Sequence, residues 1–96
     1  MKYSLEIISE AEIDIEESVI WYEEKSEGLG LNFLLCVEVA FEAIIRNPAM
    51  YPIIYKNLRR VLIYRFPFAV YYIIQNFNLI IIAVFHAKRN PKNLFA

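Results

Sequence analysis

From Ala43 to Ala96 the chain contains no aspartate or glutamate; all eleven acidic residues precede that point. The same stretch holds eight of the ten lysines and arginines, so it carries +8, while the first 42 residues, with eleven acids against Lys2 and Lys25, carry −9. The overall −1 hides this division, which suggests a surface built to meet a polyanion or an acidic partner. It also leaves the basic part without a carboxylate of its own to act as a catalytic base. There is one cysteine, Cys36, so no internal disulfide can form, which fits a reducing compartment, most simply the cytoplasm. One cysteine and one histidine, His86, cannot supply a zinc site, and no cofactor motif or glycine-rich phosphate loop is present. Two glycines and four prolines argue against a low-complexity tail. The longest fully apolar run, Leu79 to Phe85, is too short for a bilayer, which needs about 20 residues. Early acids, Glu6, Glu10 and Glu12, interrupt any secretory leader.

What is abundant is apolar surface. Residues 1–96 form a single domain in which 58% of residues are hydrophobic and 16% aromatic. A chain of this size with such a surplus has either a dry core or an apolar patch that a partner covers.

Lys2 to Ile8 alternates polar and apolar residues, as a half-buried strand does. Ser9 with Glu12 three residues later predicts a capping box opening a helix, with acids crowding its first turns. Glu27-Gly28-Leu29-Gly30 breaks that helix, and a second runs from about Leu31 to Arg46, where Asn47-Pro48 stops it. The pair reads as an antiparallel helix hairpin. A loop around Met50-Tyr51-Pro52 follows. Arg59–Phe66, Phe68–Gln75 and Leu79–His86 are rich in valine, isoleucine, tyrosine and phenylalanine, and read as a three-stranded antiparallel meander. The fold class is therefore α+β in two layers: N-terminal strand, helix hairpin, meander. These strands are apolar on both faces. One face takes the hairpin; the other needs a partner, a second subunit or the chain's own tail.

Arg59 and Arg65, six apart on one predicted strand, point to the same face, and Lys88, Arg89 and Lys92 follow the last strand. Arginine forks bind phosphate or carboxylate bidentately. His86 at a strand end is either a general acid or phosphate contact, or a residue that packs and hydrogen-bonds. Trp21 and Tyr22 either anchor a partner or pack against the second helix. The residues alone carry the reading no further than a small α+β domain with a basic sheet face and apolar surface for a partner.

Taken in order, Ala11-Glu12-Ile13-Asp14-Ile15 with Trp21-Tyr22-Glu23, Gly28-Leu29-Gly30 with Phe33, Asn47-Pro48, Tyr51-Pro52, Arg59-Arg60, Arg65-Phe66-Pro67-Phe68 with Tyr71-Tyr72, and Ala83 through Pro91 resemble the RelE/ParE superfamily of bacterial toxins from type II toxin–antitoxin pairs, the ParE-like branch most closely. The resemblance spans nearly the whole chain and implies the same two-layer fold. It implies a cognate antitoxin whose acidic and apolar segment wraps the toxin, meeting Trp21, Tyr22, Phe33 and the apolar meander. Members of the ParE-like branch poison DNA gyrase; RelE-like members cut mRNA on the ribosome. For the first activity, Arg59, Arg65, His86, Lys88, Arg89 and Lys92 are contact groups. For the second, Arg65, His86 and Arg89 would be catalytic, and a base is hard to find. The expected function is thus a gyrase-binding toxin without cofactor or metal, of the kind that stabilises plasmids. The alternatives are a ribosome-dependent mRNA endonuclease or a degenerate member that only binds its antitoxin. A homo-oligomer or a toxin–antitoxin hetero-oligomer is compatible with either.

Overall fold

The computed structural model describes residues 2–95. Strand β1 (Ser4–Ile7) leads into helix α1 (Ser9–Lys25), and helix α2 (Leu29–Arg46) folds back along it. Four further strands follow: β2 (Ile53–Tyr55), β3 (Leu58–Leu62), β4 (Phe68–Gln75) and β5 (Asn78–His86). A 3-10 turn over Pro91–Phe95 comes last. All five strands form one sheet in the order β1-β5-β4-β3-β2. β1 runs parallel to β5, and the remaining pairs are antiparallel.

The helix start differs from the expected capping box. Ile8 is the N-cap residue, no side chain caps it, and its carbonyl already accepts from Glu12 N–H at 3.1 Å. The Ile8 N–H bonds Ile81 O at 3.2 Å. The strand thus runs straight into the helix, and Ser9 lies inside the first turn instead of capping it. At the other end Gly28 adopts φ 85°, a left-handed conformation open to glycine without strain, and α2 starts there. Glu23 caps α2 from α1: its two carboxylate oxygens accept from Gly28 N–H at 2.9 Å and Gly30 N–H at 3.0 Å.

The sheet has one strand more than the expected count. β2 is a three-residue edge strand where a loop was expected, and Pro52, which lacks a donor, stands just before it with its carbonyl accepting from Arg60 N–H at 3.2 Å. β3 ends earlier than the sequence suggests. Ile63 N–H closes onto Phe68 O at 2.9 Å, and Arg65 sits in the intervening turn at φ 74°. Arg59 and Arg65 therefore do not share a strand.

The helices bury Phe33, Val37, Ala40 and Ile44 against Val70, Tyr72, Leu79 and Ile81 of the sheet. Truncating a residue such as Phe33, which is fully buried, typically costs about 3–5 kcal/mol. On the opposite face Leu58, Ala69, Tyr71, Ala83 and Phe85 form a second cluster. Its cover comes from the chain itself: Ile54 of β2 and Ala87 and Leu94 of the tail pack there. The exposed apolar side chains lie elsewhere, chiefly on the helices, at Ile13, Ile20, Trp21, Leu31, Leu35 and Val39.

Candidate functional site: a basic end of the sheet

Phe68 and His86 are register partners, and Ala87 N–H bonds Pro67 O at 2.9 Å. The turn carrying Arg65 and the exit of β5 therefore lie at the same end of the sheet. This end gathers Arg65, His86, Lys88 and Arg89, all exposed. The Nδ1 atom of His86 accepts from Lys88 N–H at 3.1 Å, so the neutral ring carries its proton on Nε2. The Arg89 guanidinium lies 4.5 Å from the centre of the Phe85 ring, a cation–π contact that restrains a long side chain.

Two members of the expected basic set are elsewhere. Lys92 Nζ lies 5.6 Å from the ring centre of Tyr55 on β2. Three strand spacings, about 14 Å, separate β2 from β5. Arg59 is held inside the protein's own framework: its Nη1 donates to Tyr51 O at 2.6 Å and to Ala49 O at 3.1 Å. It ties down the loop after α2, together with the Tyr72 hydroxyl, which donates to Pro48 O at 2.5 Å. Burial pushes the Tyr72 phenol up to about 12, with Arg59 pulling slightly the other way. Arg59 is thus a loop brace.

The three aromatic residues expected to meet an antitoxin also divide. Phe33 is fully buried, stacked on Tyr22 at 5.2 Å and set edge-on to Phe66 and Phe68 at 5.2 and 5.1 Å. Tyr22 is mostly enclosed in the same cluster, and burial raises its phenol pKa. Only Trp21 is offered to solvent, half exposed, edge-on to Tyr22 at 5.0 Å with Lys25 Nζ 4.6 Å from its ring centre.

Asp14 reaches the site from α1, which no sequence pattern indicates. Its Oδ2 accepts from Val84 N–H on β5 at 3.1 Å. With Glu17, Trp21, Phe68 and Arg89 it lines a pocket of about 260 Å³. Burial raises the Asp14 pKa, the Val84 hydrogen bond and the Arg89 charge draw it back, and Glu17 and Glu10 add to the rise. The basic part is therefore not wholly without a carboxylate. The fold imports two from α1, Asp14 and Glu17, the first engaged at one oxygen by the backbone.

A second, larger concavity of about 470 Å³ lies between α2 and β3, walled by Cys36, Val39, Ala43, Tyr51, Leu62 and Tyr64 and bordered by Arg60. Among the described residues no group of three or more metal-ligating side chains forms, and no helix is long and apolar enough to cross a membrane.

No curated protein matches the chain in sequence. Among solved structures, a chain described as the chromosomal ParDE TA system from P. aeruginosa superposes with a TM-score of 0.76 at 16% identity, over 88% of this chain and 96% of that one. That likeness is one of fold. The family model for the ParE toxin of type II toxin–antitoxin systems matches residues 5–91, the stretch from β1 to the start of the tail's 3-10 turn, and the chain belongs to that family.

Proposed function

We propose that the chain is the cytoplasmic toxin of a toxin–antitoxin pair, and that it acts by binding, with DNA gyrase as its target. The observation that carries this reading is the exposed cluster Arg65, His86, Lys88 and Arg89 at one end of the sheet. Guanidinium and ammonium groups presented together suit an anionic partner surface. Of the two carboxylates that share a pocket with Arg89, Asp14 already accepts from a backbone N–H, which supports contact rather than proton abstraction. Arg59 and Lys92 fall outside this contact set.

A cognate antitoxin is the second partner. The exposed apolar side chains of the hairpin and the groove between α2 and β3 offer it apolar surface, and Arg60 at the groove's border offers a charge for an acidic segment. Of the aromatic trio Trp21 is the most open to it, and fully buried Phe33 is out of its reach.

The deciding experiment is plasmid supercoiling by purified gyrase with the toxin alone and then with antitoxin. Inhibition or trapped cleavage that the antitoxin reverses is the expected result. Undisturbed supercoiling by a folded protein that still arrests growth overturns it. One observation favours mRNA cleavage in that event: an imidazole, a guanidinium and a carboxylate, those of His86, Arg89 and Asp14, stand at one end of the sheet. A message ending in a 2′,3′-cyclic phosphate would establish that reading.

A further inference from the structure

β5 loses its neighbour part-way along. Its last register partner on β1 is Ile7, opposite Ile81. Just beyond, the ladder with β4 shifts: Tyr72 faces Ile81 while Tyr71 faces Ala83, which leaves Ile82 as an extra residue on β5. Bulges of this kind redirect a strand and leave backbone groups to find other partners. Val84 N–H finds Asp14 Oδ2. The same carboxylate feels the charge of Arg89, five residues further along, and the two side chains line one pocket. The Arg89 guanidinium also rests on Phe85, 4.5 Å from the ring centre. One carboxylate on α1 thus bonds the last stretch of β5 and faces, across a shared pocket, the arginine that follows three residues after it.

We propose that Asp14 is a positioning residue for the basic end: by capping Val84 and drawing Arg89 against Phe85, it fixes the direction in which the chain leaves β5 and so the presentation of His86, Lys88 and Arg89. Its consequence for activity rests on the reading that this end meets the target; the positioning itself does not. The two functions of the carboxylate are separable. Asparagine retains an oxygen for Val84 but no charge for Arg89, and alanine retains neither.

The experiment uses the full chain with Asp14→Asn and Asp14→Ala, followed by native-state exchange of the Val84 amide, the Arg89 Nε–Hε resonance and gyrase inhibition. In Asp14→Ala the Val84 amide exchanges about tenfold faster, the loss expected of one partly buried hydrogen bond. Its Arg89 resonance collapses to the shift of a free side chain, and inhibition falls as far as in Arg89→Ala. In Asp14→Asn the Val84 amide stays protected while Arg89 is released, a split that a merely structural role would not produce. Unchanged Val84 exchange in the alanine variant, or an Arg89 resonance kept in place in the asparagine variant, overturns the proposal. Should the alanine variant fail to fold, the asparagine variant decides alone. If wild-type protein leaves gyrase untouched, the target reading falls by itself, and the two resonances still judge Asp14.

Discussion

Replacing Arg59 separates bracing from binding most sharply. Its guanidinium makes two hydrogen bonds, at 2.6 Å to Tyr51 O and 3.1 Å to Ala49 O, the first partly buried and the second exposed. A hydrogen bond from a charged donor is worth about 1.5–3 kcal/mol when sheltered, and an exposed one toward or below the low end. Arg59→Ala frees Tyr51 O to rehydrate in part, so the loss should be about 2–3 kcal/mol. For a domain of this length that lowers the melting temperature by roughly 10–20 °C. Arg65→Ala, an exposed change within a turn, should stay within about 0.5 kcal/mol of wild type. Thermal unfolding followed by circular dichroism, paired with gyrase inhibition at a temperature where both variants are folded, reads the two effects apart. The expected outcome is crossed: Arg59→Ala is less stable but still inhibits, whereas Arg65→Ala is as stable as wild type and inhibits poorly. Arg59→Lys, with a single ammonium in place of the fork, should fall between wild type and alanine. An Arg59→Ala protein that melts with wild type would refute the assignment of Arg59 to the loop and return it to the contact surface.

Three further substitutions test other parts of the structure. A Cβ on Gly30 would stand 2.6 Å from Val19 O and 3.1 Å from Glu23 Cβ, so Gly30→Ala should lose about 1–3 kcal/mol in chemical denaturation despite alanine's better helix propensity; a stabilised variant would mean the helices separate freely. Among the described residues the buried Tyr71 hydroxyl has no hydrogen-bond partner, so Tyr71→Phe should gain about 1–2 kcal/mol, and a loss would point to a partner for that hydroxyl. Asp14 has a folded-state pKa above its ordinary 3.8, so it favours the folded state below pH 3.8 and that contribution disappears as pH rises through the raised value. The stability advantage of Asp14→Asn over wild type should accordingly be largest near neutrality and shrink toward pH 3.8 in urea titrations, while a constant difference would contradict the sign of the shift.

Local pattern carried the elements whose own residues decide them. The second helix is visible because Val37, Ala40, Phe41 and Ile44 recur at helical spacing and Asn47-Pro48 ends it. β4 and β5 are visible because two runs rich in valine, isoleucine, tyrosine and phenylalanine flank a short turn at Asn76. β2 escaped because three residues after a proline fall below any periodic signal, and they become a strand only by pairing with Arg59 and Leu58. The end of β3 was misplaced because Tyr64-Arg65-Phe66 has strand-forming side chains, while the turn is imposed by closure of Ile63 onto Phe68. For the site, a chain segment shared by His86, Lys88 and Arg89 made their proximity legible. Which arginines were free was not. Arg59 is claimed by carbonyls eight and ten residues away, and Asp14 reaches across 70 residues to Val84; neither contact has a periodicity.

The division of charge acquires a different meaning once folded. Asp14 is drawn into a pocket with Arg89, but Glu10, Glu12, Glu16, Glu23, Glu24 and Glu27 remain exposed along α1 and its turn. An acidic antitoxin segment approaching the exposed apolar hairpin would therefore meet like charge there. The basic end and the Arg60 border of the α2–β3 groove would attract it. Charges at an interface act more on orientation and encounter rate than on final affinity. The acids of α1 would thus exclude one register of a wrapping partner, and the cations would select another in which apolar residues reach the helices while carboxylates reach Arg65, Lys88 and Arg89. In that register the antitoxin covers the same cations proposed to touch the target. Neutralisation then needs no conformational change in the toxin: occupation of a shared anionic-partner surface is enough.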